Sequence, residues 1–236
     1  MYKRQDRGQA GAINKGFSSA TGELFAWINS DDYYLPAALM QLVKCISANN
    51  ADFVYGDVFQ QKGHGVPYPW RNGDKFDLTT SLTSLHIPIP QQGAMWKKTL
   101  WDSVGGLNSK WHCVLDRDFF VRSALRHTFC YKPGSVAVSR IHSAAKSSAQ
   151  AAKWIDELPK MYKEFYLRKD LPSSIKKTRR KNMYAVWQRC ADISRRCGKS
   201  SLRFLFFALI TSPVFFLQDE MTYLKHCFLS ARKKRR

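Results

Sequence analysis

The apolar run Leu24-Phe25-Ala26-Trp27-Ile28 is followed at once by Asn29-Ser30-Asp31-Asp32, and that junction constrains the fold more than any other stretch. An unbroken apolar run ending in polar turn formers reads as a strand buried on both faces, as in an α/β sheet. Such sheets bind ligands outside the carboxyl ends of their strands. Here that end carries two carboxylates, Asp31 and Asp32, with the amide of Asn29 just upstream. Their hard oxygens suit Mg²⁺ or Mn²⁺, and a dication held there can neutralise a diphosphate. The same four residues are also good turn and N-cap material ahead of a helix opened at Pro36, so both readings stand on these residues alone.

The neighbouring pattern continues an α/β alternation. Ile13, Phe17 and Ala20 share a helical face, Gly22 is placed to cap that helix, and Leu24–Ile28 follows as the strand. Leu39, Leu42, Val43 and Ile46 have the spacing of a second helix. Phe53-Val54-Tyr55 reads as the next strand, with Gly56-Asp57 ending it. Residues 60–78, rich in Gly, Pro and Lys, have no period and read as a loop. Gln92–Trp96 is the next expected strand, Leu115–Leu125 a helix with Phe119, Phe120 and Ala124 inward, and Val136-Ala137-Val138 the strand that closes the sheet.

An ordered series of segments then narrows the reading. Asp6-Arg7-Gly8-Gln9-Ala10-Gly11-Ala12-Ile13-Asn14-Lys15-Gly16-Phe17, Ala20-Thr21-Gly22-Glu23 and Trp27-Ile28-Asn29-Ser30-Asp31-Asp32 with Leu35-Pro36 are followed by Tyr55-Gly56-Asp57, Pro90-Gln91-Gln92 and Val104-Gly105-Gly106-Leu107. Leu115-Asp116-Arg117-Asp118-Phe119-Phe120-Val121-Arg122 and Arg140-Ile141-His142-Ser143 complete it. In this order they resemble family 2 glycosyltransferases of the GT-A fold, over roughly residues 1–148. The resemblance implies an α/β fold, a partial GT-A (Rossmann-like) mixed sheet flanked by helices, and the residues beyond it read separately as a C-terminal helical, basic and hydrophobic extension. It also implies a nucleoside-diphosphate sugar donor, a glycan or lipid-linked acceptor in cell-surface polysaccharide synthesis, Mg²⁺ or Mn²⁺ as cofactor, and inversion at the anomeric carbon. The loop 60–78 falls on the acceptor side.

Roles carry over position by position. Asp31 matches the last acid of the family's metal-binding Asp-x-Asp motif, Asn29 replaces its first Asp, and Asp32 is the adjacent acid. Asp116 matches the catalytic base that takes the acceptor's proton, although Leu115 stands where a Glu often precedes it. From the residues alone, Asp116 is equally a helix N-terminal carboxylate offsetting the macrodipole. His142 aligns with a late position that contacts metal or diphosphate, and Arg140 offers a fork-shaped phosphate donor. Asp6, Gln9, Asn14 and Lys15 match the segment that contacts base, ribose or diphosphate, while Gly11 stands where an Asp is frequent. The family's two leading strands, which grip the nucleoside, have no counterpart ahead of Met1, so the domain over 1–150 is expected to be N-terminally incomplete.

The remaining residues, 151–236, differ in character. Of the chain's net charge of +20, residues 1–150 carry +6 and residues 151–236 carry +14. Trp154, Leu158, Met161, Tyr162 and Phe165 have the spacing of an amphipathic helix packed on the body. Lys176-Lys177-Thr178-Arg179-Arg180-Lys181 reads as a basic hinge and Arg232-Lys233-Lys234-Arg235-Arg236 as a basic end. Between them, as one helix, Phe204–Leu217 would reach about 21 Å, short of the roughly 30 Å of a bilayer core. With Pro213 inside it, the segment reads as interfacial, held at an anionic membrane surface by its cationic neighbours, or as a helix buried on the core.

The basic runs would also attract nucleic acid, but no helix-turn-helix, zinc-finger or RNP-like pattern accompanies them, so nucleic acid is not the expected partner. Six cysteines without Cys-x-x-Cys spacing read as reduced thiols of a cytoplasmic protein. Two functions follow from the sequence. One is a metal-dependent glycosyltransferase, peripheral at the inner face of the membrane. The other is a catalytically inactive remnant acting only as a membrane-associated binding protein.

Overall fold

The computed structural model describes residues 8–71, 74–141 and 151–219. Its strands are β1 (Leu24–Phe25), β2 (Tyr33–Tyr34), β3 (Phe53–Lys62), β4 (Tyr68–Arg71), β5 (Ala94–Lys97) and β6 (Phe129–Ile141). In space they run β1-β5-β3-β6-β2, with β4 beside the outer half of β3. Among the described residues only β3 and β6 pair in parallel; the other pairings are antiparallel. The body's helices are α1 (Gly8–Ser18), α2 (Ala38–Ala48), α3 (Leu78–Ser84), α4 (Lys98–Val104) and α5 (Leu115–Ser123).

The two-residue period of the strands divides the core into two layers. Val54, Met95 and Val136 point to one face, where α2 buries Ala38, Leu42 and Ile46. Phe53, Tyr55, Ala94 and Trp96 point to the other, against residues of α1, α4 and α5. Trp96 is the hub of that second layer, with the rings of Phe17, Trp27, Phe53, Trp101 and Phe119 centred 5.0–6.0 Å away. With both faces covered, the inner half of β3 is buried without alternation, as a central strand requires.

Some expectations hold and others shift. The helical face of Ile13, Phe17 and Ala20 packs on the core, but α1 stops at Ser18 through i→i+3 turns and Gly22 does not cap it. On α2, Leu42 and Ile46 are inward, whereas Leu39 stands exposed. Gly56-Asp57 does not end the third strand; β3 continues to Lys62 through register shifts on either side of Asp57. Gly56 sits there because a Cβ would fall 2.9 Å from Val136 Cγ1, and one on Gly93 would fall 2.6 Å from the Gly56 carbonyl. Buried Asp57 is satisfied at this bulge by the Tyr131 hydroxyl (2.7 Å) and the Gly134 N–H (2.8 Å). Residues 60–78 are partly strand, since β4 turns back along β3. The Val136–Val138 strand lies inside the sheet, between β3 and β2.

The C-terminal helices are α6 (Ala151–Tyr166), α7 (Ser173–Lys177), α8 (Arg179–Arg196) and α9 (Leu202–Thr211). Leu158, Met161, Tyr162 and Phe165 of α6 enter the same apolar cluster as Trp96, each side chain worth about 1.5–3 kcal/mol on burial. Polar ties fix the contact. The buried Asn182 amide donates to the Leu82 carbonyl at 2.7 Å. Arg117 donates to the Tyr162 hydroxyl at 3.2 Å. The basic run 176–181 lies in α7 and α8 rather than in a hinge, and α9 breaks at Ser212. Among the described residues no helix is long and apolar enough to cross a membrane. Asp6, His142 and Arg232–Arg236 lie outside the described residues.

Candidate active site

After Phe25 the chain leaves its ladder with β5 and passes from the edge strand β1 to the opposite edge strand β2. On the way it turns tightly at Asn29–Asp32, where the Asp32 N–H bonds the Asn29 carbonyl at 3.1 Å. The turn is held against Gln91–Gly93, a short 3-10 turn that precedes β5. The Gln91 side-chain amide donates to the Trp27 carbonyl at 2.7 Å, fixing the path just before the turn.

A chain of amides and one carboxylate follows. Gln9, at the start of α1, donates to Asn29 Oδ1 at 3.1 Å. Asn29 Nδ2 donates to Asp32 Oδ2 at 3.2 Å and faces Gln91 Oε1 at 3.4 Å. Gln92 Nε2 donates to the same Asp32 oxygen at 2.9 Å and to Ser139 Oγ at 3.3 Å. The Arg140 backbone N–H reaches Asp32 Oδ1 at 2.9 Å. Asp32 thereby accepts three hydrogen bonds from three segments, which makes it the turn's internal anchor. The Arg140 guanidinium lies over the Tyr33 ring at 5.1 Å, its side chain exposed at the rim.

The structure therefore brings Gln9, Asn29, Asp32 and Arg140 together, with half-buried Asp31 on the same turn. Asn14 points elsewhere: its amide donates to the Leu107 carbonyl (2.8 Å) and accepts the Leu107 N–H (3.0 Å). Lys15 is exposed in the last turn of α1. Gln91, Gln92 and Ser139 belong to the network without having been singled out for a role. For two of them the signal was present, since Pro90-Gln91-Gln92 is one of the segments carrying the resemblance. Ser139 gave no signal beyond its place beside Arg140.

Asp116 lies in the first turn of α5, half-buried, its Oδ1 accepting the Arg117 N–H at 2.7 Å. Asp118, two residues on, is different. It is buried against Arg122 (Nη2 at 2.8 Å), and Arg122 also closes on the Val104 and Gly106 carbonyls. Burial pushes the Asp118 carboxyl above its ordinary range, while Arg122 acts in the opposite direction. Asp118 with Arg122 is thus a brace for the loop before α5, and Asp116 is the carboxylate that reaches solvent.

The segment leading to Asp116 approaches the start of α1 through His112, whose ring lies where a Cβ on Gly8 would come within 3.1 Å. Gly8 has φ +78°, and Gln9 follows it directly. Buried Glu157 of α6 holds the same segment from the other side, accepting the N–H groups of His112 (3.0 Å) and Cys113 (2.8 Å). No group of three or more His, Cys, Asp or Glu side chains is gathered for a metal among the described residues. The carboxylates of the turn are the adjacent Asp31 and Asp32, the second held by three hydrogen bonds. Hard carboxylate oxygens of this kind would suit a divalent cation such as Mg²⁺ or Mn²⁺.

Residues 1–107 match the model of the family Glycosyl transferase family 2. The glycosyltransferase YwdF of Bacillus subtilis is 28% identical over 126 residues, which cover 51% of this chain and 46% of YwdF. The chain spans about half the length of the curated relatives it matches. Among solved structures, S. aureus TarS 1–349 in complex with UDP-GlcNAc is similar with a TM-score of 0.60 at 12% identity, covering 95% of this chain and 74% of that one. The mannosyltransferase PcManGT from Pyrobaculum calidifontis, in complex with GDP-Man and Mn²⁺, has a TM-score of 0.57 at 14% identity, covering 97% of this chain and 62% of its own.

Proposed function

We propose that this chain, a family 2 glycosyltransferase with the mixed α/β fold of the GT-A enzymes, transfers a sugar from a nucleoside-diphosphate donor to a hydroxyl of a glycan or lipid-linked acceptor in polysaccharide synthesis at the inner membrane face. The observation that carries the reading is the network of Gln9, Asn29, Asp32, Gln91, Gln92 and Arg140, which fixes the turn between β1 and β2 that also carries Asp31. Asp32 and its amide partners hold the turn rigid. Gln9, Arg140 and Lys15 offer donors to the base, ribose or diphosphate. Support for the donor class comes from neighbours that hold UDP-GlcNAc or GDP-Man.

In this mechanism Asp116 takes the proton of the acceptor hydroxyl as its oxygen attacks the anomeric carbon. The new C–O bond forms while the bond to the diphosphate breaks, and one displacement inverts the centre. Asp31, with His142 as the further candidate, would hold a Mg²⁺ or Mn²⁺ ion, which when bound would offset the charge of the leaving diphosphate. Asp118 and Arg122 keep the start of α5 in place but do not meet the substrate.

Calorimetry of UDP and GDP with the full chain, with and without Mn²⁺, tests the reading. Metal-strengthened binding that Asp31→Ala abolishes is the expected result. Binding of neither nucleotide to folded protein would overturn it, and nucleotide binding without turnover of any sugar nucleotide would favour an inactive binding protein.

A further inference from the structure

A cleft of about 490 Å³ opens among α6, α7, α8 and α9, far along the chain from the network described above. Lys163, Lys176, Lys177, Arg179 and Arg180 line it, all exposed, and no carboxylate does. Three acids of these helices and their connections pair with other cations, as Lys160–Asp156, Arg168–Asp170 and Arg195–Asp192. The apolar part of the lining includes Trp187, Phe207 and Ile210. Lys163 Nζ lies 5.5 Å from the Trp187 ring centroid, and Arg180 Nε caps the Thr211 carbonyl at 3.2 Å, so two of the cations are held at the wall of the cleft.

Ile210 also belongs to a second surface. Leu202, Phe206, Leu209 and Ile210 recur at i, i+4, i+7 and i+8 along α9 and are exposed, Leu202 by 74% and Ile210 by 61%. Phe204 and Ala208, on the opposite side of the helix, are buried against the core. The chain is helical again over residues 213–219, where Val214 and Leu217 are likewise exposed. A ten-residue helix such as α9 is about 15 Å long, so it can lie along a bilayer but not through it.

We infer that this face of the C-terminal helices is a seat for anionic phospholipid headgroups, with the α9 stripe dipping into the acyl boundary of the membrane. A lipid surface supplies both halves of the required complement at once: phosphate for the cations and hydrocarbon for the stripe. Free phosphate or a nucleic-acid backbone would meet the cations and leave the stripe in water. The proposal rests on the membrane-facing part of the reading above and is independent of the transfer chemistry.

Sedimentation of the full chain with vesicles tests it, using phosphatidylcholine alone against an equal mixture of phosphatidylcholine and phosphatidylglycerol. Binding is expected only to the mixture. The triple variant Lys176→Gln, Lys177→Gln, Arg179→Gln should weaken it by about a hundredfold, from about fivefold per charge. The double variant Phe206→Ser, Ile210→Ser should weaken it to a similar degree without changing the circular dichroism spectrum, since both side chains are exposed. Equal binding to neutral vesicles, or undiminished binding by the triple variant, would overturn the proposal. So would a double variant that turns a dimer into a monomer yet still sediments with vesicles, because the stripe would then be an interface between copies. Donor binding in solution is unaffected in either variant, which separates failure here from failure of the transferase reading.

Discussion

The α/β body and the C-terminal helices share one apolar cluster but treat their polar residues in opposite ways. In the body, polar groups converge and satisfy one another: Asp32 is met by Asn29, Gln92 and Arg140, Asp57 by Tyr131 and Gly134, and Asp118 by Arg122. In the helices, cations of one sign gather around a cleft with no carboxylate in its lining. Internally balanced polarity suits a rigid site that must hold its shape before substrate arrives. Unbalanced polarity is what the proposed lipid seat would use.

The sharpest way to break the comparison is at Asp116. Asp116→Asn should lower turnover by about 10²–10⁴-fold while leaving nucleotide and vesicle binding intact, as measured by sugar-transfer assay alongside calorimetry. The shared cluster gives the next largest effect. Trp96→Ala should cost about 3–5 kcal/mol, and because α6 packs into the same cluster, denaturant unfolding should show body and helices lost in one transition.

Glu157 joins the two regions directly. Glu157→Ala removes the Glu157 acceptor from the N–H groups of half-buried His112 and Cys113, at up to about 1–3 kcal/mol for each. Glu157→Gln, which keeps one acceptor oxygen, should lose less, and unfolding midpoints distinguish the two. Asn29→Asp acts on the site alone. It replaces the amide donor to Asp32 by a second carboxylate, so nucleotide binding should become more steeply dependent on Mn²⁺, which calorimetry with varied metal reads directly.

The smallest effect is on acid stability. Burial works to raise the Asp52 carboxyl, but hydrogen bonds from Thr128, Lys97 and His127 together hold it below the ordinary range. Asp170 is held low chiefly by its hydrogen bond from Arg168. A carboxyl whose folded pKa is depressed contributes stability above its unfolded pKa and loses it as pH falls through the folded one. Asp52→Asn in the body and Asp170→Asn in the helical region should each flatten the acid limb of stability below about pH 4, followed by thermal unfolding across that range.

Local periodicity was enough for much of the fold. The spacing of Leu42 with Ile46, of Phe119 with Phe120, and of Leu158, Met161, Tyr162 and Phe165 named the buried faces because a side chain's direction is set by its own backbone. The turn at Asn29–Asp32 was legible from its residue types, but its setting was not: the strand expected over Leu24–Ile28 is only Leu24–Phe25, at the end of the sheet order, and the chain has left the ladder before it turns. What was misread depended on neighbours distant in sequence. Gly56 looked like a terminator, but its lack of a side chain serves contacts with Val136 and Gly93 inside a continuous strand.

At the site, the sequence by itself determined which residue types were available and that Asn, not Asp, stands at position 29. Tertiary structure decided their work. It gave Asp32 three hydrogen bonds from three segments, turned Asn14 to Leu107, and buried Asp118 while leaving Asp116 half-exposed. It also made one cleft of cations drawn from α6, α7 and α8. Chemistry of this kind depends on distances of about 3 Å between groups far apart along the chain, and only the packing of elements sets those distances.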